Sequence, residues 1–204
     1  MMLILHSPEY QLVAFLVLLS YFIGSVSFGI LITKIFHIGD LRSIGSGNIG
    51  ATNVLRTGNK KAAALTLILD GGKGYIAVFL TASFSDPNYI YLSALSVFAG
   101  HAFPIYHRFK GGKGVATFIG IMLAINLTSG IGVCVVWLFV SVLFRISSLS
   151  ALICAVSAPI LILLFDTLDH MWLSITLAIL VWIFHRENIK RLISNSEPSI
   201  NFKK

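Results

Sequence analysis

A chain of 204 residues that is 56% hydrophobic and only 11% charged, with a mean hydropathy of +0.89, holds far less charge than the roughly 25% of a soluble domain. Water-soluble packing is thereby excluded. The net charge of +7 has no nucleic-acid reading, because no basic stretch is interleaved with the stacking aromatics that single strands require.

The first apolar run, Tyr10 to Ile32, contains no charged residue and ends before Lys34. At 1.5 Å per residue it spans a hydrocarbon core of about 30 Å. It is longer than a signal-peptide core and lacks a basic leader, so it is expected to be helix one. Further apolar stretches cover Ala62 to Phe84, Tyr89 to Phe103, Val115 to Phe144, Leu149 to Phe165, and Leu168 to Phe184. The only cysteines, Cys134 and Cys154, lie within these runs at no zinc, haem or redox spacing, and read as core residues.

The stretch from Val115 to Phe144 would make one helix about 45 Å long, yet Asn126, Thr128, Ser129, Gly130 and Gly132 cluster near its middle as turn residues do. Charge decides between the readings. With the stretch split, every Lys and Arg except Lys73 falls on one side, and the other side carries Glu9, Asp86, Asp166 and Asp169. Unsplit, Arg145 and the basic tail would lie opposite the rest. Since basic loops stay inside, the expectation is an all-α, polytopic integral membrane protein: one domain over residues 1–204, seven transmembrane helices, amino terminus outside, carboxyl terminus cytoplasmic. The two halves of the split run are short for a bilayer.

Three polar segments, all on the cytoplasmic side, differ from plain connections. Gly45 to Asn53, leading to Arg56, combines glycines that let backbone N–H groups converge with the donors of Ser46, Asn48, Thr52, Asn53 and Arg56. A bound phosphate needs that combination; a flexible connecting loop does not.

The second segment is a repeat, Asp70-Gly-Gly-Lys-Gly74 and Lys110-Gly-Gly-Lys-Gly114. Such an element opening a helix unites backbone donors, a positive helix end and an ammonium, the parts of an anion site. Neither copy has Walker A spacing. Glycines alone would equally serve close helix packing, and Asp70 and Lys73, at i, i+3 inside an apolar span, could pair with each other. His101 lies within a turn of the helix end that Pro104 imposes.

The third segment is His185-Arg-Glu-Asn188-Ile-Lys-Arg191. His185, Asn188 and Arg191 recur every three residues and share a helix face. Membrane anchoring accounts for the basic residues, but needs neither an imidazole nor an amide. No His-Glu-x-x-His or zinc-deaminase pattern is present, so neither a metal nor a cofactor is expected.

These features describe a cytoplasm-facing site for phosphate groups at a bilayer surface. A carrier for a phosphorylated metabolite, built on interrupted helices, is the alternative, but the polar motifs gather on one side rather than at the midplane.

Gly45 to Arg56, Asp70 to Gly74, Gly100 to Thr117 and His185 to Leu192 together resemble, in order and spacing, the acyl-phosphate-dependent glycerol-3-phosphate acyltransferases of bacteria, the PlsY type, over essentially the whole chain. Arg145 to Leu149 is similar to that family's segment between helices five and six, and brings in Ser148. The resemblance implies transfer of a fatty acyl group from acyl phosphate to the 1-hydroxyl of glycerol 3-phosphate in the bacterial inner membrane, giving lysophosphatidic acid and phosphate. None of the six histidines has Asp five positions on, so the His-x-x-x-x-Asp pattern of acyl-CoA and acyl-carrier enzymes is absent. On this reading Ser46, Asn48, Gly50, Thr52, Asn53, Arg56, Lys73, Lys110, Gly111, Gly112, Lys113 and Gly114 hold substrate phosphates. His185 and Asn188, with Ser46, align the glycerol hydroxyl or polarise the carbonyl, while Asp70, His101 and Ser148 lie nearby. The base is either His185 or a phosphate oxygen of the donor.

Overall fold

The computed structural model describes residues 7–200, and the described residues form helices and connections with no strand. The first helix, α1 (Pro8–Ser25), starts where the Ser7 hydroxyl accepts from the Tyr10 amide and Pro8 presets the first turn. The run expected as one helix then breaks: Val26 is extended, and α2 (Phe28–Ile35) resumes beyond Ser27. At the break, the carbonyl of Val26 accepts the Lys73 ammonium at 2.8 Å, a partner far along the chain that no local pattern announces.

A loop and the short α3 (Ala51–Arg56) lead to the long α4 (Lys60–Phe84), capped by Asn59. The next helix, α5 (Ile90–Ala102), ends two residues before Pro104. The ambiguous stretch divides into α6 (Val115–Ile125) and α7 (Leu127–Phe144). Asn126 is extended, and its side chain caps α7 by accepting from the Ser129 amide at 2.9 Å. The break thus falls at the first residue of the polar cluster, and the halves are unequal. At 11 residues, α6 is about 16 Å long, half the thickness of a bilayer core. The chain closes with α8 (Ser147–Phe165), α9 (Met171–Phe184) and α10 (Arg186–Ile193), the last turned 62° from the line of its predecessor.

Four helices, α1, α4, α7 and α8, are each long and apolar enough to cross a membrane. Their outward side chains, among them Phe15, Phe79, Phe139, Val142 and Leu164, are exposed, as lipid-facing residues of a bundle must be. Inside, Phe98, Phe118, Ile121, Met122, Ile162 and Leu177 make one buried cluster.

Glycine sets the close approaches. A Cβ on Gly120 of α6 would collide with the Gly71 carbonyl of α4, and one on Gly74 with the Thr117 carbonyl. The first Gly-Gly-Lys-Gly copy therefore lies inside α4 as a packing surface rather than opening a helix; only the second precedes one, with Gly114 at φ +80° as the cap of α6. Gly120→Ala is expected to lower the melting temperature in detergent, overpacking of this kind costing about 1–3 kcal/mol. Gly72→Ala, with nothing within 4 Å of the new Cβ, is expected to leave it unchanged or raise it.

Candidate active site

The polar segments meet at one cavity of about 730 Å³, within the range of small-molecule sites. Its polar lining includes Ser46, Asn48, Arg56, Lys113, His185 and Asn188, while Leu67 and Ile68 of α4, Leu123 of α6, and Trp137 and Leu138 of α7 supply an apolar wall. A ligand that fills it has a charged part and a hydrocarbon part.

The loop before α3 is shaped by Asn53. Its amide nitrogen donates to the carbonyls of Leu41 and Ile44, both at 2.9 Å, and its Oδ1 accepts from the Ser46 amide at 3.1 Å. Asn53 therefore holds the loop, and Ser46, in the cavity lining, also donates its hydroxyl to that Oδ1 at 3.4 Å. Gly45, at φ +55°, leaves room for the Asn53 and Arg56 side chains that a Cβ would strike. Asn48 and Gly50 line the same wall, and Thr52 is hydrogen-bonded to Ser147 at 3.0 Å, joining α3 to the start of α8. Arg56 donates through Nη2 to the Pro198 carbonyl at 3.1 Å, while its buried Nε has no acceptor among the described residues. A buried guanidinium N–H without a partner is costly, and Arg56 carries it in the lining of the cavity.

The second Gly-Gly-Lys-Gly copy divides its labour. The Gly111 and Gly112 amides donate to the Ala102 and His101 carbonyls, both at 3.1 Å, so neither is free to meet an anion, and Lys110 is exposed with its carbonyl accepting from Arg42. None of these three lines the cavity; Lys113 and Gly114 do. Lys113 donates to Asn188 Oδ1. Burial, with Arg191 next, pushes its ammonium down to about 8, against the opposing pull of Glu197.

Lys73, expected at a phosphate, is 3% exposed and absent from the cavity lining. It pairs with Asp70 at 2.8 Å and with the Val26 carbonyl, so its charge closes the α1–α2 break. Asp70 and His101 both border the cavity and face each other at 3.7 Å.

His185 sits in the turn between α9 and α10, beyond the apolar helix, and lies 2.7 Å from the Val181 carbonyl through Nδ1. A carbonyl only accepts, so Nδ1 carries the proton and Nε2 keeps its lone pair. Burial, assisted by Lys113, pushes the imidazole down to about 4, leaving it neutral at physiological pH. Asn188 and Arg191 project from α10 beside it, because the 62° turn carries the first turns of α10 over the cavity.

The group that motif reading missed is Glu197. It accepts from Asn188 Nδ2 at 2.6 Å, Ser148 Oγ at 2.8 Å and Arg191 Nε at 2.6 Å. Burial alone would raise its carboxyl; these three hydrogen bonds and the Arg191 charge outweigh burial and hold it below the usual range. The available signal was slight: Glu197 is the only acidic residue after Glu187 in a basic tail. No cluster of three or more metal-ligating side chains occurs among the described residues.

A family described as Glycerol-3-phosphate acyltransferase matches residues 14–195. A glycerol-3-phosphate acyltransferase of Dinoroseobacter shibae is 50% identical over 193 residues, 95% of each chain, and one of a Jannaschia species is 48% identical over 183 residues, 90% of each. Among solved structures, the crystal structure of PlsY (YgiH), an integral membrane glycerol 3-phosphate acyltransferase in its glycerol 3-phosphate form, superposes with a TM-score of 0.86 at 35% identity, covering 93% of this chain and 96% of that one. The lysophosphatidic acid form of that protein gives a TM-score of 0.83 at 34% identity, covering 92% and 94%.

Proposed function

The chain belongs to the glycerol-3-phosphate acyltransferase family, and we propose that it transfers a fatty acyl group from acyl phosphate to the 1-hydroxyl of glycerol 3-phosphate, the first acylation of phospholipid synthesis. The observation that carries this reading is the lining of the cavity: the cations of Arg56 and Lys113 face the same space as a hydrocarbon wall from α4, α6 and α7. Both substrates are phosphorylated, and one brings a chain.

Acyl phosphate is a mixed anhydride whose leaving group departs already stabilised, so no covalent enzyme intermediate is needed. The glycerol oxygen attacks the acyl carbon, the bond from that carbon to the bridging phosphate oxygen breaks, and the hydroxyl proton ends on phosphate. What remains for the protein is positioning and charge stabilisation. Arg56, Lys113 and Ser46 hold the phosphates, and Asn188 and His185 Nε2 align the hydroxyl. An imidazole held near 4 is a weak proton acceptor compared with a base poised near neutrality, so a donor phosphate oxygen takes the proton.

A pH profile checks these assignments. Because Lys113 in the folded protein loses its proton at about 8 rather than 10.5, its charge is present below that pH and disappears as pH rises through it. The expected result is a fall in kcat/KM above pH 8 that moves upward in Lys113→Arg, with no inflection near 6.5 from His185. A limb near 8 that stays in place in Lys113→Arg would contradict the assignment.

The same reading places the active site on the cytoplasmic face of the bacterial inner membrane, with residues 1–204 as one domain. It has seven spans, the amino terminus outside and the carboxyl terminus inside. The support is charge: Lys34, Arg42, Arg56, Lys60, Lys113 and the basic tail then share one side, the side that carries the cavity's polar lining.

Donor choice tests the proposal. Purified protein in detergent, given radiolabelled glycerol 3-phosphate, is expected to form lysophosphatidic acid with palmitoyl phosphate and none with palmitoyl-CoA. Product from palmitoyl-CoA alone would overturn the donor assignment. Turnover in detergent also excludes a carrier, which needs a sealed vesicle.

A further inference from the structure

The residues that follow α10, as far as Ile200, do not trail into solvent. Residues 194–200 fold back across the site: the Ser196 amide donates to the Arg191 carbonyl at 2.8 Å, the Pro198 carbonyl accepts from Arg56 at 3.1 Å, and the Ile200 amide donates to the Arg145 carbonyl at 2.7 Å. Ile200 is 2% exposed and, with Glu197, lines the cavity. The segment is thus fastened at several points, on α10, α3 and the α7–α8 turn.

Building on the transferase reading above, we propose that this C-terminal strap is a wall of the active site, with Glu197 as the positioning residue that orients Asn188, Ser148 and Arg191 for catalysis. An asparagine amide can be flipped, exchanging its donor and acceptor, unless neighbours fix it. Glu197 fixes it. As an ionised carboxylate it can only accept, so the Asn188 NH2 must face it, and Oδ1 is left toward Lys113. The same carboxylate holds the Ser148 hydroxyl proton and the Arg191 Nε–H, so three groups from two elements, α8 and α10, take one geometry from one side chain that is 5% exposed.

Glu197 also sets charge at the site. Lys113 is surrounded by Arg56 from α3, Arg191 from α10, neutral His185 from the α9–α10 turn, and Glu197 from the strap. Of these only Glu197 favours the charged ammonium, so its neutralisation shifts Lys113 toward the uncharged form at a lower pH.

The test uses full-length protein in detergent, assayed with palmitoyl phosphate and glycerol 3-phosphate across pH, with wild type, Glu197→Gln and Glu197→Asp side by side and a melting temperature for each. In Glu197→Gln the expected result is a kcat lowered about tenfold or more, a much smaller change in KM, and a basic limb moved below the wild-type value near 8. Glu197→Asp keeps the charge on a shorter side chain, so its limb stays in place while kcat falls, because three hydrogen bonds cannot all be kept. Should Glu197→Gln not fold, Glu197→Asp decides through kcat alone. Wild-type kcat in either folded variant would overturn the proposal. So would a loss of activity with an unmoved limb and a lowered melting temperature in Glu197→Gln, the mark of a mere brace. A wild type without turnover would instead overturn the transferase reading.

Discussion

Arg56→Ala is expected to raise the KM of the phosphorylated substrate it holds by about a hundredfold, with kcat changed much less. Its guanidinium is fixed by the Pro198 carbonyl, with Asn53 Oδ1 at the edge of hydrogen-bond range at 3.5 Å, and its buried Nε–H has no acceptor among the described residues. A charged hydrogen bond contributes about 1.5–3 kcal/mol. Loss of a forked contact to phosphate therefore removes roughly 3 kcal/mol, about two powers of ten. Titrating glycerol 3-phosphate and palmitoyl phosphate in turn, each with the other saturating, shows which of the two Arg56 binds. Arg56→Lys is not expected to restore it, because an ammonium cannot reproduce the fork. Both KM values within twofold of wild type would remove Arg56 from the site.

The second large effect is at Asn188, where the charge-changing isostere should be worse than truncation. Asn188→Ala leaves Lys113 and Glu197 without their shared partner and is expected to lower kcat by about a hundredfold, the scale of losing one oriented group that stabilises developing charge. Asn188→Asp keeps the shape but puts a carboxylate where Nδ2 now donates to Glu197 at 2.6 Å. Two carboxylates at that distance repel and share a proton, which unseats the strap as well. The measured order should be wild type, then Ala, then Asp. An Asp variant more active than Ala would show that the amide nitrogen is not held by Glu197.

Much of the helical layout could be read from apolar runs, because a membrane helix must satisfy its backbone internally and advertise itself by length. The division of Val115 to Phe144 was legible through Asn126, a side chain that caps α7. The break at Val26 was not: the segment Ser25-Val26-Ser27 contains neither Gly nor Pro, and its carbonyl is met by Lys73, remote in sequence. Local patterning carries no record of such a partner.

The site shows the same boundary. Ser46, Asn48, Arg56, Lys113, His185 and Asn188 stood out as polar chemistry where none is needed for anchoring, and they line one cavity. Lys73 and Lys113 occupy identical Gly-Gly-Lys-Gly contexts, yet one is packed inside α4 and the other opens onto the cavity. The first copy packs against α6 through Gly71 and Gly74, while the second leads into α6. Glu197 went unread because a single acid in a basic tail is ordinarily solvated, and only the return of the strap along α10 gives it three donors.

The most direct test of the account is the stoichiometry of transfer. Purified protein in detergent is mixed with palmitoyl phosphate, with and without glycerol 3-phosphate, and released phosphate and lysophosphatidic acid are counted together, with Arg56→Ala and His185→Ala in parallel. Acyl transfer at this cavity predicts one phosphate for each lysophosphatidic acid, release that requires glycerol 3-phosphate, and, at substrate concentrations near the wild-type KM, collapse of both products in the two variants. Well-folded wild-type protein that releases no phosphate in response to glycerol 3-phosphate would contradict it.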